Sequence, residues 1–199
     1  MPTRTLHAAV ATALLGTAAL LSSLPAAAVE LAGVKIEDRA SVAGKPLQLN
    51  GAGIRYKAIF KVYTAGLYLE KKTDSPDGVY DMAGPKRMSI TMLRDIDSAE
   101  LGKLFSRGME DNMERGSFAK LIPSVLRMSQ VFSNHKTLKA GETFLLDWVP
   151  GTGTVLTIKG VQEGEPFKEP AFFEALMRIW LGPKPADWQL KEALLGGKK

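Results

Sequence analysis
From about residue 29 the chain carries two hydrophobic periodicities in succession, first of strands and then of helices. Leu31 to Ile36 alternates as a strand. Ala58 to Leu69 is rich in Ile, Phe, Val, Tyr and Thr, which favours a second strand. Along it Ile59, Lys61, Tyr63, Ala65, Leu67 and Leu69 share one side, and Phe60, Val62, Thr64, Gly66 and Tyr68 the other. Both sides are largely apolar, so this strand is expected to be central and covered on both faces. Lys86 to Arg94 sets Met88, Ile90 and Met92 on one face and predicts the next strand. Asn50-Gly51-Ala52-Gly53 and Ser75-Pro76-Asp77-Gly78 read as turns.

The spacing then changes. Asp97 is a candidate N-cap, with Glu100 as its capping-box partner. Leu101, Leu104, Phe105, Met109 and Met113 recur at helical spacing, and Gly116 is a candidate stop. A second helix is predicted from about Phe118 to Phe132, burying Leu121, Val125, Met128 and Phe132, with Pro123 in its first turn. Thr143–Val149 and Thr154–Gly160 read as two strands joined by the hairpin Pro150-Gly151-Thr152-Gly153. Pro170 opens an amphipathic helix through Leu181, ended by Gly182-Pro183, and a last short helix from Asp187 to Leu195 is capped by Asp187 and ends at Gly196-Gly197. Strands and helices come in runs, so the expected class is α+β: an antiparallel β-sheet packed against a layer of helices.

Composition narrows what such a domain can do. The 199 residues are 45% hydrophobic and 24% charged, an ordinary globular balance for one domain. Residues 1–28 stand apart: Arg4, a run from Ala8 to Leu21 with nothing more polar than Thr, then Ala26-Ala27-Ala28. This predicts a signal peptide cleaved after Ala28, hence a periplasmic or secreted single domain over 29–199 without stable membrane insertion. The net charge of +5 is spread among interleaved acids, with no cluster of five basic residues, which argues against nucleic-acid binding. Cysteine is absent, which excludes disulfides, thiolate metal sites and thiol catalysis. With only His7 and His135, neither a histidine metal site nor a Ser-His-Asp triad is built comfortably, and no cofactor is expected.

HExxH, GxSxG, P-loop and GxGxxG elements are lacking. Asp95 and Asp97 either form a carboxylate pair or divide into a loop residue and a helix cap. Met88, Met92, Met109 and Met113 either line an adaptable pocket or pack the core. His135 lies in a polar stretch and is expected to face solvent. Asn112, seven residues after Phe105, falls on the inward face of its helix. A buried amide needs partners, so Asn112 is either bonded to backbone or offered to a ligand at a pocket wall.

Gly51-Ala52-Gly53-Ile54-Arg55, followed by Lys61-Val62-Tyr63-Thr64-Ala65-Gly66-Leu67-Tyr68-Leu69-Glu70, resembles the start of chalcone isomerase. The plant enzymes read G-A-G-x-R, then F-T-A-x-G-x-Y-L-E. Gly102-Lys103-Leu104-Phe105-Ser106 up to Asn112 is similar to their G-K-x-Y-S…N helix. Ile179 to Pro185 resembles the I-W-L-G-x-x-P ending of the secreted bacterial branch, the chalcone isomerase-like proteins. The resemblance implies an open-faced β-sandwich holding a cleft. It implies ligand-binding roles for Arg55, Thr64, Phe105, Asn112 and Ile179. In the enzymes the Arg binds a phenolate, a Thr and a Tyr orient a carbonyl through water, and an Asn and a hydroxyl residue hold a distal hydroxyl. Here Arg55, Thr64 and Asn112 keep the polar types, whereas Phe105 and Ile179 lack the hydroxyl.

A lost carbonyl-polarising donor costs about 3–4 kcal/mol of transition-state stabilisation elsewhere. Related members of the fold bind fatty acids, with the matching Arg at the carboxylate. The expected function is therefore non-catalytic binding of a small hydrophobic anion such as a fatty acid, paired with Arg55. Two alternatives stand beside it: an intramolecular lyase acting on a chalcone-like enone, with Arg55 and Thr64 as catalytic candidates, and an interaction protein whose cleft is filled. Arg55 and Thr64 are nine apart, so a turn or bulge near Tyr56-Lys57 is required if both line one cleft.

Overall fold
The computed structural model describes residues 28–197. The expected leader lies outside the described residues apart from Ala28. In chain order the elements are β1 (Val29–Leu31), β2 (Val34–Ile36), β3 (Arg39–Val42), β4 (Lys45–Lys57), β5 (Phe60–Leu69), α1 (Pro76–Tyr80), β6 (Lys86–Met92), β7 (Ile96–Asp97), α2 (Ser98–Asp111), α3 (Arg115–Ser133), β8 (Thr137–Leu138), β9 (Thr143–Val149), β10 (Gly153–Ile158), β11 (Val161–Gln162), α4 (Pro170–Leu181) and α5 (Trp188–Leu194). Seven strands form one antiparallel sheet in the order β11-β10-β9-β6-β5-β4-β3. The helices lie on one face, as the α+β reading requires. Their apolar stripes meet Leu67, Met88, Ile90 and Leu146 of the sheet in the main core. The other face carries a smaller cluster of Ile36, Val42, Leu47, Ala52 and Tyr68.

β5 has the predicted central place, between β4 and β6, and every residue from Val62 to Leu69 is buried. Met88, Met92 and Met109 are fully buried core residues rather than pocket walls. Asp97 caps α2 by accepting the Glu100 N–H, and Asp95 sits in the loop before it, accepting the Ala140 N–H. The division into cap and loop residue is therefore the one adopted.

Several local expectations are corrected. Leu31–Ile36 is not one strand: Ala32 and Gly33, at φ +51° and +81°, turn the chain back so that β1 pairs with β2. Asn50–Gly53 is not a turn but the middle of β4. Its glycines serve close approach, because α5 lies against this strand. A Cβ at Gly51 would stand 2.0 Å from the Ala193 carbonyl oxygen, and one at Gly53 2.8 Å from the Ala193 side chain. Buried Asn50 ties the same region together. Its amide donates to the carbonyls of Leu194 and Thr73, and its oxygen accepts from the Thr73 N–H.

Ser75–Gly78 is the capped first turn of α1. Gly116 does not stop α2. Asn112 ends that helix, and Gly116 lies in the first turn of α3. Pro123 consequently falls inside α3. Both it and Ala119, whose carbonyl loses its helical partner, are exposed, so that oxygen is open to solvent rather than stranded in the core. His135 is not turned to solvent: half-buried, its Nε2 meets Glu163 Oε1 at 3.0 Å.

Candidate ligand cleft
Period-two alternation along β4 places Gly51, Gly53 and Arg55 on the helix-covered face. The two glycines let α5 settle onto the strand. Arg55 comes next on that face, just past the N-terminal end of α5, where the Asp187 cap also accepts the Tyr56 N–H at 2.9 Å. There the tip of the β4–β5 hairpin, α2, the residues around β7 and the segment 184–186 enclose an open cleft of about 510 Å³. Val62, Leu101, Leu104, Phe105, Ile179 and Pro185 supply apolar walls; Arg55, Lys57, Arg94, Arg107 and Lys184 supply positive charge, and Asp95, Asp97, Glu100 and Asp111 bring acids to the same lining, with Asp111 paired to Arg107 at 3.8 Å.

Of the five residues expected here, three line the cleft: Arg55, Phe105 and Ile179. Phe105 is almost fully buried, edge-on to Phe132 and Trp180 at ring-centroid distances of 5.6 and 5.5 Å. A hydroxyl on that ring would have to find a partner inside an aromatic cluster. Ile179 fits so closely against α2 that a Cβ at Gly108 would lie 3.1 Å from it.

Thr64 and Asn112 do not line the cleft. Arg55 pairs across the hairpin with Tyr63, and Ile54 with Thr64. Direct antiparallel partners share a face, so Thr64 points away from Arg55 in spite of a bulge between Arg55 and Tyr56. The reason is strand alternation: Tyr63, the partner of Arg55, takes the cleft face, so its neighbour Thr64 takes the other. Tyr63, on the opposite face of β5, does line the cleft. The alternation of β5 already set Tyr63 opposite Thr64, so the signal was present in the sequence.

Asn112 is buried, and the three hydrogen bonds it makes are all to backbone. Its amide nitrogen donates to the carbonyls of Gly108 and Lys184 at 2.8 and 2.9 Å, and its oxygen accepts the Lys184 N–H at 2.7 Å. It clamps the chain leaving α4 onto the end of α2. Gly182 must be glycine for this, since a Cβ there would stand 2.4 Å from the Asn112 oxygen.

Arg55 is half-buried, and its one hydrogen bond runs from Nη1 to the Tyr56 carbonyl at 3.3 Å. Among the described residues no carboxylate pairs with it. Asp187, the acid beside this region, already accepts the Tyr56 and Leu190 N–H groups. The guanidinium lies 6.0 Å from the Tyr63 ring centroid. Tyr63 Oη in turn accepts the Trp180 Nε1–H at 2.8 Å and keeps its own proton to donate. Burial pushes the Tyr63 phenol up to about 12, against the opposing pull of the Arg55 charge and the Trp180 hydrogen bond. It is therefore neutral through the physiological range. Chemically, the cleft offers a fixed cation beside an apolar trough, with the buried, neutral Tyr63 side chain in its wall. Among the described residues no group of three metal-ligating side chains occurs.

Comparison with known proteins agrees with this architecture. Among curated proteins none matches the chain in sequence. A solved structure with the same fold is a fatty-acid binding protein from Arabidopsis thaliana. It is 13% identical, covers 85% of this chain and 96% of its own length, and superposes with a TM-score of 0.67. The profile described as chalcone isomerase-like matches residues 28–196, nearly the whole described chain. With the sheet, the helical layer and the Gly-Gly-Arg face of β4 in their places, the chain belongs to the chalcone isomerase-like family.

Proposed function
We infer that the cleft binds a small hydrophobic anion, a fatty acid or similar carboxylate, without transforming it. The observation that carries this reading is Arg55: a guanidinium with no carboxylate partner, beside a neutral phenol, at the head of an apolar trough. A ligand carboxylate accepts from Arg55 and from the Tyr63 hydroxyl, and its tail lies along Leu101, Leu104, Phe105 and Ile179. The structural neighbour's description as a fatty-acid binding protein supports this assignment. The leader over residues 1–28 supports an exported protein that works in the periplasm or outside the cell. No described helix is long and apolar enough to cross a membrane.

A second reading, intramolecular lyase chemistry on a phenolic enone, draws on the same pair, because the Tyr63 hydroxyl is a donor beside the cationic Arg55. One set of measurements separates the two. Fatty acids of graded chain length displace a fluorescent acyl probe, and Arg55→Ala abolishes the displacement. Stereoselective cyclisation of a chalcone, lost in Arg55→Ala, overturns the binding-only assignment. Ligand retention unchanged by Arg55→Ala overturns the anchor itself.

A further inference from the structure
The hairpin that brings Arg55 and Tyr63 to the cleft ends in a tip whose chemistry is unusual for a turn. Three other two-residue hairpin loops in the described chain, Ala32-Gly33, Ala43-Gly44 and Lys159-Gly160, put glycine second. That is the residue such turns favour. The β4–β5 loop is Ala58-Ile59, with Ala58 held at φ +54°. Ile59 is 85% exposed and the adjoining Phe60 is 56% exposed. A fold that needs only a turn here has better residues for it.

Charge is arranged around the same point. From Arg39 to Leu69 the sequence contains no Asp or Glu, and Arg55, Lys57 and Lys61 fall within seven positions at the hairpin end. Arg94 adds a cation 5.2 Å from the Phe60 ring, while the acids nearest this end, Asp187 and Asp95, are bonded to the Tyr56 and Ala140 N–H groups. An aromatic and an aliphatic side chain at the apex, with cations set back around them, match the layering of an anionic lipid surface. The apolar groups enter the acyl boundary while the cations stay among the headgroups.

We propose that the Ile59-Phe60 tip, with Lys57, Lys61 and Arg94, docks onto an anionic phospholipid bilayer. Arg55 and Lys57 line the cleft from the same hairpin, so docking brings the cleft mouth to the headgroup layer. An acyl anion can then pass between bilayer and cleft with little of its tail exposed to water. This transfer step rests on the binding function proposed above; the docking step does not.

The test is co-sedimentation with vesicles of phosphatidylcholine alone or with about a third phosphatidylglycerol. The chain is used in the form its producing cell releases, and every comparison is between variants of that form. The expected result is salt-sensitive binding to the anionic vesicles, reduced at least tenfold in Ile59→Ser/Phe60→Ser and about fivefold in Lys61→Gln. These residues are outside the cleft lining, so fatty-acid affinity measured without vesicles stays unchanged in each variant. Equal sedimentation of wild type and the double variant, or none on any vesicle, overturns docking, as does a tip that ignores lipid and holds a protein partner. Vesicle binding without fatty-acid binding leaves docking standing and removes the transfer step.

Discussion
The amide at the end of α2 and the guanidinium near the tip of β4 have the same standing in the sequence, as polar groups beside apolar stripes, and opposite fates in the fold. Asn112 gives every donor and acceptor site it uses to backbone: Gly108, Lys184 and Lys184 again. Arg55 has five N–H donors and spends one. The first is a clamp closing a chain crossing, the second an open charge waiting at a cleft. Polarity near a pocket therefore does not mark a ligand contact. What marks it is bonding capacity that the protein leaves unused.

The contrast is broken most strongly by Asn112→Ala. Removing the amide strands the Lys184 N–H and carbonyl, and the expected loss is about 2–3 kcal/mol in urea denaturation. Fatty-acid affinity of the protein that remains folded changes less than twofold. Gly182→Ala attacks the same clamp from the other side and gives a loss of the same kind, since its new Cβ would collide with the Asn112 oxygen. Arg55→Ala gives the reverse pattern. Affinity for a fatty-acid anion falls at least tenfold, while stability stays within about 0.5 kcal/mol. Arg55→Lys keeps the charge without the fork and recovers only part of the affinity.

Tyr63→Phe stands between these extremes. It removes a proposed ligand donor and the acceptor for Trp180 Nε1 together. Affinity falls about fivefold and stability by about 1 kcal/mol. The pH dependence has a definite sign. The folded phenol titrates at about 12 against an ordinary 10, so its stabilising contribution is complete below pH 10 and is lost as pH rises toward 12. Across that interval Tyr63 contributes a decline of about 1.4 kcal/mol per pH unit. Chemical denaturation at alkaline pH should show the decline shallower by that amount in Tyr63→Phe. The smallest effect belongs to Thr64→Val, which leaves ligand affinity within twofold because that side chain points away from the cleft. A loss beyond tenfold would show that the face assignment of β5 is wrong.

Much of the architecture was legible in the chain. The limits of α4, the N-caps Asp97 and Asp187, β9 and the central place of β5 follow from local periodicity and capping chemistry. The expectations that failed were those in which a local signal serves a distant partner. Gly51 and Gly53 read as a turn until α5 arrives from more than a hundred residues away to need their missing side chains. Asn112 reads equally as clamp or ligand contact until the chain near Lys184 claims it.

The class of fold, the strand and helix faces, and an arginine after two alternating glycines can all be read along the chain. These are set by rules acting within a few residues: side-chain alternation, helical spacing and end capping. Which polar groups remain free is settled by long-range packing. That depends on what each finds across the fold: Tyr63 rather than Thr64 opposite Arg55, Trp180 against the Tyr63 hydroxyl, and Lys184 against Asn112. A hydrogen bond between residues a hundred positions apart leaves no periodic trace in either local segment, whereas a strand face repeats at every second residue.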